Sequence, residues 1–325
     1  MKVFVCEFVT AGGMRADPLP ETLLPEGRLM RDAISADVEA LPFVSALLSA
    51  HDDRLPAPFA DSVAVGEGDD PWAIWADIAA KADVVWPIAP ETAGLLARMV
   101  ELFGASGVRL VASDLAAIIA TSSKANIAAR LAEAGLPHIP TFRLDDAPAT
   151  LEGPLLTKPD DGAGCENTRI WPDRAHLPAG LAGQNLIVQP YVAGTAASLS
   201  VLVRPDTVRL LTVNLQNVRE SDGVLSLKGL TVGALPDPDG QLARLAEEVV
   251  ALFPGLAGII GIDILLTADG PVVVEVNPRV TTSYAGLGPA LALNPAAFLP
   301  PFIREGRLPA LPHFPPASPI PVGVR

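Results

Sequence analysis

The chain has 325 residues, half of them apolar and 18% charged, more than one core usually serves and far from disordered compositions, so two or three packed domains are expected. Thirty-seven acidic against 23 basic residues leave a formal charge of −14; such a field repels phosphate backbones and anionic lipid, so neither nucleic acid nor membrane is an expected partner. Two cysteines, Cys6 and Cys165, are too few for a disulfide framework, and the start MKVFVCEFVT lacks a signal-peptide pattern, so a cytoplasmic protein is expected.

Residues 2 to 9 read as a buried strand, and Ala11-Gly12-Gly13 follows where an open α/β sheet presents its ligand-binding edge. A second strand, 83 to 88, ends in Pro90-Glu91-Thr92 and leads into a helix over 93 to 103 with apolar positions 95, 96, 99, 102 and 103. A short strand over 108 to 112 precedes Ser113-Asp114, read as the cap of the next helix. This order predicts a small parallel α/β, Rossmann-like domain over 1–112. Ser122 or Ser123 caps a helix over 124 to 134, which stops at Gly135 with Pro137 beyond. From Pro154 the texture becomes short strands and glycine turns: 155 to 158, Asp161-Gly162-Ala163-Gly164, 168 to 171 and 186 to 189, a β-rich lobe over 113–188. Residues 189–325 are expected to form the third unit: strands over 198 to 204, 208 to 214, 258 to 267 and 271 to 277, an amphipathic helix over 241 to 253, and a tail with six prolines after Leu308 that is either extended and packed or disordered.

The sharpest chemical signal lies in residues 258 to 279, two strand patterns flanking Asp269-Gly270. A hairpin symmetrical about 269 sets Asp263 opposite Glu275, and period-two alternation puts Gly261, Asp263, Glu275 and Asn277 on one face. Ile260, Ile262, Ile264, Leu266, Val272, Val274 and Val276 fall on the other. Opposed carboxylates with Cβ atoms roughly 5 Å apart repel unless a cation lies between them. Two carboxylates and an Asn amide are hard oxygen donors, which suit a nucleotide-bound Mg²⁺. The plain alternative is a hairpin with a solvated acidic face; Asn277-Pro278-Arg279 favours the metal, because cation and guanidinium together offset charge on a transferring phosphoryl group. Lys124 at a helix start, and Lys158 before the glycine loop, would complete a phosphate-binding set, although a strand lysine before a glycine turn is more commonly a surface lysine beside a tight hairpin.

Taken in order, Lys124, Lys158 with its loop, Ile187-Val188-Gln189-Pro190-Tyr191-Val192, Asp263 and Glu275-x-Asn277 resemble the ATP-grasp superfamily. The resemblance implies an ATP-grasp fold behind an N-terminal pre-ATP-grasp substrate domain. It implies that Lys124 and Lys158 contact the nucleotide phosphates, that Gly162, Ala163 and Gly164 close over them, and that Gln189, Tyr191 and Val192 bind adenine. Asp263, Glu275 and Asn277 would hold one or two Mg²⁺, with Mn²⁺ able to substitute, and Arg279 would steady the transferred group beside Lys158. Departures are Ser123 before Lys124, where an Asp is often seen, and Ala197, where many members carry a glutamate near the ribose.

Within the superfamily the chain is similar to the tyramine–glutamate ligase family of methanofuran-type cofactor biosynthesis. The blocks that carry this are Glu7 to Gly13, Ala89 to Thr92, Lys158 to Glu166 and Glu275 to Tyr284. The similarity implies a ligase that joins glutamate to an aromatic amine, tyramine or tyrosine, through an acyl phosphate. Glu7, Gly12, Gly13, Glu91, Arg279, Thr281, Ser283 and Tyr284 are its candidate substrate-binding residues, with Glu7 and Glu91 candidates to hold or deprotonate the ammonium group. Each of these two could equally be structural. A kinase on the same nucleotide clamp, and a nucleotide-binding regulator without turnover, are the competing readings; a homo-oligomer is left open.

Overall fold

In the computed structural model, residues 1–162, 164–165, 167–303, 308–312 and 317–324 are described. Of the sequence-derived site residues only Ala163 lies outside them.

The chain opens with a parallel α/β unit. Strand β1 (Lys2–Glu7) is apolar on both faces, as a strand covered by helices on each side must be. Helix α1 (Leu23–Glu39) crosses over to β2 (Ala46–Leu48), which pairs parallel with β1. Strands β3 (Ala50–Asp52) and β4 (Val63–Val65) form a small parallel pair of their own. Helix α2 (Pro71–Ala79) starts on Asp70, whose side chain accepts the Trp72 N–H, with Pro71 at the first helical position. Strand β5 (Val84–Ile88), helix α3 (Leu95–Gly104) and β6 (Arg109–Leu110) complete a four-stranded sheet ordered β2-β1-β5-β6.

Two expectations are corrected here. The helix after β5 does not begin at 93: Ala93 and Gly94 take left-handed angles, φ 53° and 70°, and α3 starts at Leu95. The turn is held from outside, because the Ala93 N–H donates to Asp161 Oδ2 at 2.9 Å. Helix α4 (Leu115–Thr121) follows Ser113-Asp114, yet neither side chain caps it. Instead Ser113 donates to Pro278 O at 2.8 Å and accepts from Ala257 N at 3.1 Å, fastening this unit to the last sheet.

Helix α5 (Lys124–Glu133) is capped as its sequence predicts: Ser123 accepts the Asn126 N–H, and Gly135 ends the helix at φ 70°. Strands β7 (Phe142–Arg143), β8 (Leu155–Pro159), β9 (Arg169–Trp171) and β10 (Leu186–Pro190) build the small lobe. Beyond it come β11 (Thr195–Arg204), β12 (Thr207–Ser221), β13 (Val224–Leu235), helix α6 (Gln241–Leu252), β14 (Gly258–Thr267), β15 (Gly270–Asn277), helix α7 (Tyr284–Leu291) and β16 (Ile320–Gly323). Among the described residues these strands make one sheet, ordered β15-β14-β11-β12-β13-β9-β8-β10-β7, with β16 paired to β13. The small-lobe strands join the rest of the sheet where Arg169 of β9 pairs with Val224 of β13, and His138 makes a separate bridge to Val273 of β15.

Strand β12 runs to Ser221 rather than 214, and β13 was not expected. Their junction, Asp222-Gly223, has φ 51° and 79°, the paired left-handed geometry of a two-residue hairpin turn. The proline-rich tail ends in β16, where Val322 and Val324 enter the core.

Helix α6 packs on β12 and β11, and its Leu242, Leu245, Ala246 and Val249 share one core with the apolar side of β11, β14 and β15. Such burial is worth about 1.5–3 kcal/mol per large side chain, so it anchors the strands whose other face carries the carboxylates. A second core joins the first sheet to the last: Ile34 and Val38 of α1 pack with Leu287 and Leu291 of α7. Trp86 meets Tyr284 edge to face, centroids 5.7 Å apart. Trp75 is also buried, while Trp72 lies under Arg98.

Candidate active site

Asp263 and Glu275 stand directly opposite one another on β14 and β15, and Gly261 opposite Asn277. A bulge between 263 and 264 reaches this register: Ile264 pairs with Val273, leaving Val274 as the extra residue. The bulge also reverses the faces beyond it. Val273 is core, whereas Val274 lines the cavity and Val272 is only half-buried, which corrects their expected places.

The carboxylates are closely engaged. Gln216 Nε2 donates to Asp263 Oδ1 at 2.9 Å and Asn277 Nδ2 to Oδ2 at 3.3 Å, while Lys124 Nζ lies 3.3 Å from Glu275 Oε2. Burial first, and the charge on Glu275 second, push Asp263 up to about 7. Burial alone would raise Glu275 too, but Lys124 and Lys158 outweigh it and hold it below its ordinary value. Burial pulls the Lys158 ammonium down, with Glu275 opposing and Lys124 adding to the effect. Facing carboxylates that cannot both ionise freely, beside an Asn amide and two lysines, fit a divalent cation with hard oxygen preference.

Lys124 is the first residue of α5, and the helix start is fastened by a residue the sequence reading missed. Asp160, nearly fully buried, accepts from Ala125 N at 2.9 Å and from the Ser123 hydroxyl at 2.8 Å. Its position two residues after Lys158 was the available signal. Lys124 Nζ also donates to Gly162 O, tying lysine to loop. In that loop Gly164, Cys165 and Asn167 have φ 66°, 61° and 50°.

These groups line a cavity of about 520 Å³. One wall carries Lys124, Lys158, Gly162, Gly164 and the Asp263–Glu275–Asn277 face; Gln189, Tyr191 and Val192 line it as well. Gln189 turns its amide to Thr141 Oγ1 at 2.7 Å. Cys165 also lines it, its thiol pushed up to about 11 chiefly by burial.

Further along, Arg279 Nη2 donates to Glu91 Oε2 at 2.8 Å. Both side chains are buried, and among the described residues Glu91 Oε1 and Arg279 Nε have no partner. Burial works against the charge on Arg279, but Glu91 outweighs it. Thr281 and Ser283 share a hydrogen bond of 2.9 Å, and Ser283 another with Ser200. Glu7 reaches the cavity with both oxygens engaged, accepting from Val9 N at 3.2 Å and Thr10 N at 2.8 Å.

Four expected substrate residues do not line the cavity: Glu91, which touches it only through Arg279, and Gly12, Gly13 and Tyr284. Gly12 packs against Val65 and Gly13 against Phe8, where added Cβ atoms would meet those side chains at 2.6 and 2.5 Å. Tyr284 is buried, its hydroxyl donating to Asp37 Oδ2 at 2.9 Å. Glu26 of α1, not singled out from the sequence, does line the cavity and accepts from the Thr282 hydroxyl at 2.6 Å.

An ATP-grasp domain family matches residues 121–283, and a pre-ATP-grasp domain family residues 45–118. The tyramine–L-glutamate ligase of Methanocaldococcus jannaschii is 29% identical over 114 residues, 34% of this chain and 35% of that protein. Its counterpart in Methanocaldococcus fervens is 30% identical over 107 residues, 33% of this chain and 35% of that protein. The alignments thus span about a third of these curated relatives. A protein from Archaeoglobus fulgidus described as ATP-grasp superfamily superposes with a TM-score of 0.72 at 20% identity, covering 99% of each chain. An L-amino acid ligase from Bacillus licheniformis superposes with 0.63 at 14% identity, covering 92% of this chain and 73% of that one. At these identities the superpositions show the fold.

Proposed function

The chain belongs to the ATP-grasp family, and on that premise we propose that it joins a carboxylic acid to an amine through an acyl phosphate, with ATP as phosphoryl donor. The observation that carries the reading is the Asp263–Glu275 pair, held within reach of Lys124 in the cavity that also contains Arg279. Lys124 and Lys158 bind phosphate oxygens; Gly162 and Gly164 keep the loop low enough for its backbone to approach them. Gln189, Tyr191 and Val192 border the adenine. Asp263, Glu275 and Asn277 would hold one or two Mg²⁺, which when bound would offset charge on the transferring phosphoryl group.

The acid's carboxylate oxygen attacks the γ-phosphorus and ADP leaves. The amine nitrogen then attacks the acyl carbon, the C–O bond breaks, and phosphate departs with that oxygen while the nitrogen loses a proton. Activation is needed because a carboxylate oxygen leaves poorly, whereas phosphate on an acyl carbon leaves readily. Arg279, kept charged by Glu91, steadies the acyl phosphate. The curated relatives, tyramine–L-glutamate ligases by name, support L-glutamate as the acid and tyramine as the nucleophile; tyrosine as a related amine, a γ-glutamyl amide and a methanofuran-type cofactor follow from the sequence resemblance alone. Residues 1–112 present the substrates, and 113–188 with 189–325 clamp the nucleotide. Among the described residues no helix is long and apolar enough to cross a membrane; the cytoplasm suits this chemistry.

The test is Mg-ATP with L-glutamate and single amines, products weighed by mass spectrometry. A glutamyl amide with one ADP per amide is expected; ADP with a stable phosphorylated acid would make the protein a kinase.

A further inference from the structure

We infer that Glu26 selects the nucleophile, binding the ammonium group of an amine whose body is apolar; this rests on the ligase reading above. Helix α1 turns Leu23, Glu26, Gly27 and Met30 toward the cavity, positions three, four and seven apart that share one helix face. One carboxylate therefore stands between two apolar side chains, with Val9 and Ile88 lining the same cavity. That pattern complements a cation carrying an apolar body and offers nothing to a second carboxylate.

The position of Glu26 suits attack on the acyl carbon. Thr282 donates to its Oε2 at 2.6 Å, and a Cβ on Gly164 would lie 3.6 Å from its Oε1. The carboxylate thus reaches between the phosphate-side loop and the 281–283 segment beside Arg279. Gly27 eases this approach: a Cβ there would fall 2.6 Å from Glu7 Oε2, so any larger residue would require the Glu7 carboxylate to move.

The test uses the full chain with Mg-ATP and L-glutamate, tyramine as the cationic probe and hydroxylamine as a small nucleophile that is neutral at pH 8. Glu26→Gln should raise KM for tyramine about tenfold or more and lower the ratio of amide to hydroxamate by a similar factor, with Glu26→Asp recovering part of it. The parent protein supplies a second readout: 4-(2-hydroxyethyl)phenol, which replaces the ammonium with a hydroxyl, should inhibit at least about tenfold more weakly than tyramine binds. An unchanged tyramine KM and product ratio in Glu26→Gln, or equal binding of the neutral analogue by the parent, overturns the assignment. A parent that forms neither hydroxamate nor amide overturns the ligase reading and this assignment with it.

Discussion

Arg279 donates to Glu91 at 2.8 Å across 188 positions of sequence, joining the end of the first sheet to the segment that follows the metal-type strand. Glu91 is buried and the Arg279 side chain nearly so, and Glu91 is the main charge that favours the ionised guanidinium. Removing one partner strands the other in a low-dielectric site, a change that costs about 3–5 kcal/mol. Arg279→Ala should therefore lower the thermal midpoint as well as abolish turnover, and Arg279→Ala with Glu91→Gln should unfold later than Arg279→Ala alone. Thermal melts of the three proteins check this.

Glu275→Gln should leave the fold intact and remove metal-dependent turnover. The amide keeps the shape but loses the charge that Lys124 and a bound cation share. Titration of Mg²⁺ in the presence of ATP, followed by calorimetry, should show affinity reduced by about tenfold or more. Full activity in this variant would sink the site assignment.

Asp161 accepts from Ala93 N at 2.9 Å and from Asn185 Nδ2 at 3.0 Å, and its carbonyl accepts from the Thr92 hydroxyl at 3.0 Å. It joins the phosphate-side loop to the turn that carries Glu91. These bonds are largely exposed, so Asp161→Ala should cost less than about 1 kcal/mol of stability. Its effect should appear in binding: KM for ATP and for the acid should rise together, which steady-state kinetics with each varied in turn would measure.

Cys165 lines the cavity, and its thiol is pushed up to about 11. The thiolate is the nucleophile, so at pH 8 alkylation by iodoacetamide should be about 100-fold slower than for a free thiol and should accelerate as pH rises toward 11. Cys165→Ala should retain turnover. Rapid modification at pH 8 would contradict the burial that sets this value.

The apolar alternation of 258 to 277 made Asp263 and Glu275 legible as a pair, because a register slip would turn isoleucines and valines into the wrong face. The bulge was not legible, since residues 272, 273, 274 and 276 are all valine and give no sign of which one is extra. Hairpin β12–β13 was missed although Asp222-Gly223 repeats the signal read correctly at Asp269-Gly270. Its flanks, Gln216, Asn217, Arg219 and Glu220, lack the apolar alternation of a half-buried strand because much of that hairpin is exposed. Glu26 was hidden for a different reason: one acidic residue in the first turn of a helix carries no local mark, and only the fold brings Thr282 and Gly164 to it. Gly12, Gly13 and Tyr284 were credited with substrate contacts on family resemblance, and packing accounts for all three.

The acyl phosphate is the centre of the account, and oxygen transfer tests it most directly. With L-glutamate labelled with ¹⁸O in its carboxylates, Mg-ATP and tyramine, each phosphate released alongside an amide should carry one labelled oxygen from the acid. Amide formed with unlabelled phosphate would contradict the account.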